Sequence, residues 1–206
     1  AFLMMPLVAI FGWSTNDVLF TLFFAALNVA LVFVLLEQLA IGGRTGRRRR
    51  DNNWLPAMFA LGTNHYWCAV LGQVWFTALI VGTTFTLLYM IWGADARRPL
   101  LAGCALAMAF ATRTPLVFTA VFFFAFALFP GGRRLQREEY GRALRRLALF
   151  CTPCLVMGSS LLVMNEIRFD SPTEFGHTYL AAGGLQRIRD YGLFHPVFLS
   201  KNLTAM

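Results

Sequence analysis

Long apolar runs, separated by short polar or basic segments, make up most of the chain. The runs cover Ala1–Phe11, Asp17–Ala40, Asn53–Gly72, Gln73–Trp92, Leu100–Phe129 and Leu147–Met164. A helix needs about 20 apolar residues to cross a bilayer, and the second, fourth and last runs meet or approach that length. The third run is weaker, because the polar stretch 62–65 interrupts it. The pattern predicts an all-α, multi-pass transmembrane helix bundle.

The run Leu100–Phe129 is too long for one crossing. As a single helix it would extend about 45 Å, against a hydrocarbon core of about 30 Å. Its polar interruption reads "TRTP". Threonine is a good N-cap, and proline favours the first position of a helix. We therefore predict a short helical hairpin with Arg113 at its tip, Thr114 as the N-cap of the second arm and Pro115 at its first position.

Composition points to the same class of protein. Of the 206 residues, 58% are hydrophobic and 14% are charged, and the mean hydropathy is +0.60. Soluble domains carry about 25% charged residues. The chain begins inside an apolar run without a signal-peptide pattern, so we expect an internal piece of a longer protein. We assign residues 1–164 to a transmembrane region truncated at its N-terminus, and residues 165–206 to an outer-face polar loop and amphipathic tail of the same domain.

The net charge of +8 is unevenly distributed. The segments 42–50, 93–98 and 131–146 hold thirteen of the eighteen Lys and Arg residues. Basic residues collect in the cytoplasmic loops of membrane proteins. With the hairpin counted as two crossings, all three segments fall on that side. The outer side then receives the region of His65, the hairpin tip and everything from Asn165 onward. Orientation in the membrane accounts for the charge, and we expect no nucleic-acid partner.

Arg113 is the sharpest candidate for chemistry. An arginine within a membrane segment usually faces a partner or a wet cavity, and a helix start beside it attracts anions. One interpretation is a phosphate clamp; the other is an interfacial arginine paired with an acid or a lipid head group. His65 is either a ligand or proton carrier, or part of an interfacial aromatic belt. The segment Asn165–Leu180 is either an exposed polar loop or the wall of a site, and "RFDSP" within it predicts a turn.

Three segments also carry a resemblance to a known family. They read "GTNHYWCAVLGQVWF", "RRPLLAGCALAMAFATRTPLVF" and "NEIRFDSPTEFGHTYL", in this order. In them the chain resembles the polyprenyl-phosphate-sugar glycosyltransferases of the GT-C superfamily, which include protein O-mannosyltransferases and lipid A aminoarabinose transferases. The resemblance covers about Pro6 to Phe198. It departs at Asp170, where glycine is expected.

The resemblance implies a multi-pass membrane enzyme of the cell envelope, placed in the bacterial inner (plasma) membrane. Such a transferase passes a hexosyl or pentosyl group from a polyprenyl-phosphate carrier to an acceptor hydroxyl at the outer face. Its partners are a lipid-linked sugar donor, membrane lipids, and an acceptor glycan, lipid or protein. The catalytic base is expected upstream of Ala1. This fragment is expected to carry no cofactor or metal of its own, whereas the family allows a divalent metal in the full-length protein.

The resemblance implies that Arg113 faces the carrier phosphate and that the other predicted site residues line an outer cavity. The predicted substrate- and phosphate-binding residues are Arg113, His65, Glu166, Arg168, Asp170, Glu174 and His177. Two other functions stay open. A transporter or flippase of lipid-linked sugars would need inverted repeats around a midplane site, and the sequence has no matched halves. A non-catalytic membrane subunit would need no converging polar groups.

Overall fold

The computed structural model describes residues 3–133, 135–174, 190–191 and 195–204. Within these ranges all regular structure is helical, as the sequence predicts. The α-helices are α1 (Met5–Phe11), α2 (Asp17–Ile41), α3 (Arg49–Gly62), α4 (Asn64–Leu71), α5 (Val74–Gly93), α6 (Pro99–Thr112), α7 (Val121–Leu128), α8 (Tyr140–Phe169) and α9 (Val197–Thr204). Short 3-10 helices occupy Gly12–Ser14, Ala94–Ala96, Thr114–Ala120, Pro130–Gly132 and Arg137–Glu139.

Contacts between residues divide the chain into two compact units, 1–157 and 158–206. The boundary falls inside α8. The first unit contains α1 to α7 and the first part of α8, and it forms the helix bundle described next. The second unit contains the end of α8 and the segment after it.

Three helical segments of the described ranges are long and apolar enough to cross a membrane. They are Asp17–Ile41, Val74–Ala96 and Arg137–Phe169. Each contains most or all of one predicted span, so the positions of these three helices are confirmed. The start of α2 is set locally: the Asn16 side chain accepts a hydrogen bond from the Leu19 amide at 3.0 Å, which is the usual role of an N-cap.

The weaker run forms two helices, α3 and α4, which return along α2. Near the end of α2, the Asn52 amide donates to the Glu37 carboxylate at 2.9 Å. Halfway along α2, Asn28 lies 3.2 Å from the His65 ring. After α4, Gly72 adopts a left-handed conformation (φ 58°) and packs against the first turn of α2. The predicted interruption is confirmed, but His65 lies at mid-height in the bundle and not at its outer end, where the sequence had placed it.

The run 100–129 breaks and reverses at the predicted position. α6 ends at Thr112, and Arg113 leaves the helix in an extended conformation (φ −149°, ψ 116°). Tyr89 of α5 fixes the returning arm, because its hydroxyl donates to the Thr119 carbonyl at 2.9 Å and accepts from the Phe123 amide at 3.0 Å. The two arms therefore run in opposite directions beside α5.

The core of the bundle lies where α6, α7 and α8 meet. Phe150 of α8 stacks on Phe123 of α7, with ring centroids 4.0 Å apart. On α6, a Cβ atom added to Gly103 would lie 2.3 Å from the Phe150 carbonyl oxygen. Small residues allow helices to approach closely when little else holds them together. The absence of a side chain at Gly103 therefore sets the distance between α6 and α8.

The basic segments gather at one end of this bundle. Segment 42–50 follows α2, segment 93–98 follows α5, and segment 131–146 follows α7. Arg44 of the first segment pairs with Asp95 of the second, and its guanidinium lies 4.8 Å from the ring centroid of Phe126 in α7. We call this the basic end. The other end, formed by the first turns of α2 and α5 and the last turn of α6, is called the Asp17 end.

Candidate functional site

A cavity of about 310 Å³ opens at the Asp17 end of the bundle. Its polar side chains come from three helices: Asp17 from α2, Thr77 from α5 and Thr112 from α6. The rest of the wall is apolar, formed by Leu3, Met4, Phe20, Val74, Ala78, Val81, Met108 and Ala111. Ligand sites typically combine such apolar walls with a few polar groups that orient the ligand.

The Asp17 carboxylate is the charged group of this cavity. It is exposed, and within the described residues no hydrogen bond or ion pair occupies it. The backbone behind it is held firmly. The Thr21 hydroxyl bonds the Asp17 carbonyl at 2.7 Å and the Thr77 hydroxyl at 2.7 Å, and Thr77 in turn bonds the Gly72 carbonyl at 3.2 Å. The turn of α2 that carries Asp17 is therefore held in place, and its carboxylate has no partner among the described residues at the mouth of an apolar cavity.

Arg113 follows the wall residue Thr112 in sequence, but it is not itself among the residues that line the cavity. Its neighbour Thr112 bonds the Ala109 carbonyl at 2.6 Å and lies against Gly82 of α5, where an added Cβ would come within 3.0 Å of the threonine oxygen. Arg113 itself is exposed, and its guanidinium has no partner among the residues the structure describes. In the part of the chain that the structure describes, an unpaired cation and an unpaired acid thus lie at the same end of the bundle.

The predicted helix start beside Arg113 is wrong in two details. Arg113, not Thr114, occupies the N-cap position, and no side chain caps the helix. Pro115 follows at the second position, and the arm starts as a seven-residue 3-10 helix, Thr114–Ala120, before α7 begins. A single 3-10 arm of this length has no α-helical N-terminus to bind an anion. The predicted phosphate clamp combined Arg113 with the start of an α-helix, and of these two parts only the Arg113 guanidinium is present.

His65 belongs to a separate polar cluster inside the bundle. The Asn28 amide nitrogen lies 3.2 Å from His65 Nε2 and donates to the Ile80 carbonyl at 2.9 Å. Asn28 Oδ1 accepts from the Thr84 hydroxyl at 2.6 Å. This arrangement suits a neutral ring whose Nε2 accepts a hydrogen bond from the Asn28 amide. The Phe59 ring covers the histidine, with centroids 4.4 Å apart. His65 therefore ties α4 to α2 and is not among the residues that line the Asp17 cavity.

The other predicted residues lie in the second unit, at the end of α8. Glu166 and Arg168 are exposed in its last turn, and the Arg168 guanidinium lies 5.2 Å from the Phe169 ring centroid. Glu174 is not helical, and its amide donates to the Ser171 carbonyl at 3.3 Å. His177 lies outside the described residues.

The predicted turn after α8 is confirmed. Its geometry explains how Asp170 can stand where the resemblance leads us to expect glycine. Asp170 has a positive φ of 51°, in the left-handed region that favours glycine, and its amide donates to the Glu166 carbonyl at 2.9 Å. Aspartate tolerates this region better than most side chains. The Asn165 amide closes the turn by donating to the Pro172 carbonyl at 3.2 Å. Asp170 thus ends the helix in the left-handed conformation that glycine usually adopts at this position.

Sequence reasoning missed two features of the bundle. Asp17 was not among the predicted site residues, although it is the charged group of the cavity. Asn28 was not singled out, although it is completely buried. A polar amide inside the apolar run of α2 is the signal that identifies it, because such residues need a partner within the bundle. No sequence signal distinguishes Thr112 from the other threonines.

Within the described ranges, no three His, Cys, Asp or Glu side chains are placed to hold a metal ion together. No protein-family profile, curated protein or solved structure matches this chain.

Proposed function

We propose that the chain is part of a multi-pass membrane glycosyltransferase that uses a polyprenyl-phosphate sugar as donor. The observation that carries the proposal is the apolar cavity at the Asp17 end, with Asp17 in its wall and Arg113 next in sequence to the wall residue Thr112, both without a charged partner among the described residues. An isoprenoid phosphate is complementary to the apolar wall and to the arginine, because it has an apolar chain and an anionic head. The arginine can bind a phosphate through two parallel hydrogen bonds.

The proposed orientation follows from the charge of the two ends. The basic end faces the cytoplasm, as basic loops do in membrane proteins, and the Asp17 end faces outward. α2, the α3–α4 pair, α5 and α8 then cross the membrane, and the α6–α7 hairpin enters and returns. In this proposed orientation the cavity lies at the outer surface, and the family resemblance favours the bacterial inner membrane.

In the proposed reaction, an acceptor hydroxyl oxygen attacks the anomeric carbon of the donor sugar. The bond between that carbon and the phosphate oxygen breaks, and the phosphate leaves with the bonding electrons. Arg113 stabilises the charge that develops on the leaving phosphate. Asp17 and Thr112 are available to bind hydroxyl groups of the sugar or acceptor. The acceptor proton passes to a general base, a role that the resemblance gives to none of the residues named here.

Binding of undecaprenyl phosphate to the protein in nanodiscs, followed by native mass spectrometry, tests this function. A hydrogen bond to a charged group is worth about 1.5–3 kcal/mol, so we expect Arg113→Gln to weaken binding by about tenfold or more. Arg145→Gln removes the same charge at the basic end and should bind like the unchanged protein. Equal binding by Arg113→Gln and the unchanged protein would overturn the proposal.

A transfer assay separates the enzyme from the alternatives. With a labelled polyprenyl-phosphate sugar in proteoliposomes of the full-length protein, a transferase moves the label to an acceptor. A transporter or flippase carries the intact donor across the bilayer, and a non-catalytic subunit does neither. Two side-chain hydrogen bonds join α2 to α5, one between Thr21 and Thr77 and one between Thr84 and Asn28. Because they close the contact between the two helices, they give no support to a transport path at this place.

A further inference from the structure

A second and larger cavity lies at the basic end of the bundle. Its volume is about 590 Å³, and α2, α5 and α7 form its walls. The walls are mainly apolar, with Phe33, Val34, Met90 and Phe122 among them. The volume lies within the range of about 300–1,000 Å³ that ligand pockets commonly have. None of the residues discussed for the Asp17 cavity lines it.

Charged groups surround the mouth of this cavity. Asp95 pairs with Arg44 and also with Arg97, whose guanidinium lies 3.4 Å from the carboxylate. A second carboxylate of the lining, Glu37, lies 3.9 Å from Arg49, so the three arginines outnumber the two carboxylates and the mouth keeps one positive charge. The Arg44 guanidinium lies over the ring of Phe126, a wall residue. Arg97 is the freer of the two, with 72% of its side chain exposed.

The backbone holds these groups in an uncommon conformation. Asp95 and Ala96 have φ values of 56° and 51°, in the left-handed region that is costly for residues with a side chain. Ala96 is completely buried, which anchors the turn in the core. Across the cavity, the Gln38 amide donates to the Ile91 carbonyl at 3.0 Å and fixes α2 against α5. Such strain persists where the surrounding structure enforces it, and it is frequent at binding sites.

We infer that this cavity binds an anionic phospholipid from the leaflet that faces the basic segments. One acyl chain fills the apolar cavity, and the phosphate takes the place beside Arg44 and Arg97. Charge complementarity carries this choice of ligand, because basic pockets between helices on the cytoplasmic side suit anionic head groups. The inference rests on the membrane location in the proposed function, but not on sugar transfer.

The test compares two lipids on the purified protein by native mass spectrometry. The protein is titrated with phosphatidylglycerol, which is anionic, and with phosphatidylcholine, which is neutral overall. We expect retention of phosphatidylglycerol only, and about fivefold weaker binding by Arg97→Gln, since one basic residue near a membrane surface is worth about 1 kcal/mol. Arg145→Gln, a matched loss of charge on α8, should bind normally. Equal binding of the two lipids, or an equal loss in both variants, would contradict the inference.

A second variant tests the cavity without changing its charge. Val34 lines the wall and is partly exposed, so Val34→Trp places a larger side chain in the acyl-chain position without disturbing the core. We expect loss of phosphatidylglycerol with unchanged helical content. Undiminished binding would show that the acyl chain of the lipid lies elsewhere.

A competition experiment tests the head group alone. Glycerol phosphate, the head group without chains, should not compete with phosphatidylglycerol. Competition at equal concentration would point to a free phosphate site instead. Arg113→Gln should leave lipid retention unchanged, which separates this result from that of the proposed function.

Discussion

At the scale of single residues, the chain is most specific where a polar or strained group has a defined partner. Asp170 is the clearest case, because it ends α8 in a left-handed conformation. The cost of that conformation for a residue with a side chain is about 1–2 kcal/mol, and less for aspartate. We expect Asp170→Gly to raise the unfolding midpoint in detergent and Asp170→Val to lower it. If glycine lowers the midpoint as valine does, the carboxylate, and not the backbone, is what this position requires.

A second prediction at this scale concerns pH and the segment before α8. Arg133 donates hydrogen bonds of 2.8 and 2.7 Å to the Glu139 carboxylate, and the Gln136 amide adds one at 3.0 Å. The bond from Arg133 is the main reason that the pKa of Glu139 falls from 4.5 to about 2. Because the folded state holds this proton more weakly than the unfolded state, the stabilisation is complete above pH 4.5. It is lost as pH falls through 2.

Unfolding midpoints measured between pH 6 and pH 2 check this. Glu139→Gln should be less stable than the unchanged protein at pH 6, and the difference should shrink below pH 4.5. The effect should be small, because solvent screens an exposed ion pair. Glu138→Gln, the neighbouring exposed position, serves as control and should show no such trend. A pH-independent difference for Glu139→Gln would mean that the ion pair does not form.

At the scale of elements, the helix positions follow from the sequence more closely than their contacts do. α2 and α5 were predicted nearly to the residue, because each is a long apolar run with polar residues at its ends. Pro115 correctly located the hairpin break. The 3-10 form of the returning arm was not predictable, because it depends on how Tyr89 holds the backbone at Thr119 and Phe123.

The site was less predictable than the helices for the same reason. Arg113 was singled out from the sequence because a charge inside an apolar run is conspicuous. Asp17 and Thr112 lie far apart in sequence, and only the packing of α2 against α5 and of α5 against α6 brings them to one cavity. His65 was assigned to the outer end together with the end of the interrupted run 53–72. The run does end there, with Gly72 against the first turn of α2, but His65 lies earlier in it, beside Asn28.

Packing between elements gives a further prediction. Gly103 allows α6 to approach α8 until their backbones nearly touch, so an added methyl group would collide with the Phe150 carbonyl. We expect Gly103→Ala to lower the free energy of unfolding by about 1–3 kcal/mol, as overpacking usually does. Gly141→Ala is the matched control, because a Cβ there meets nothing within 4 Å and alanine favours a helix. Equal stability of both variants would show that α6 and α8 separate without cost.

At the scale of the whole molecule, the helix bundle of the first unit has two chemically different ends. The basic end carries the arginine-rich segments and the larger cavity. The Asp17 end carries the smaller cavity, with its unpaired carboxylate and the adjacent Arg113. This asymmetry is the basis of both proposals, since it assigns a lipid-linked substrate to one end and an anionic membrane lipid to the other.

The most direct measurement is the position at which the carrier lipid binds. A photoactivatable undecaprenyl phosphate, with the reactive group beside the phosphate, is crosslinked to the protein in nanodiscs, and the labelled peptides are mapped by mass spectrometry. We predict labelling around Asp17 and around Thr112 and Arg113, reduced by Arg113→Gln and unchanged by Arg145→Gln. Labelling confined to segments 42–50 and 93–98, or labelling that Arg113→Gln does not reduce, would contradict this prediction.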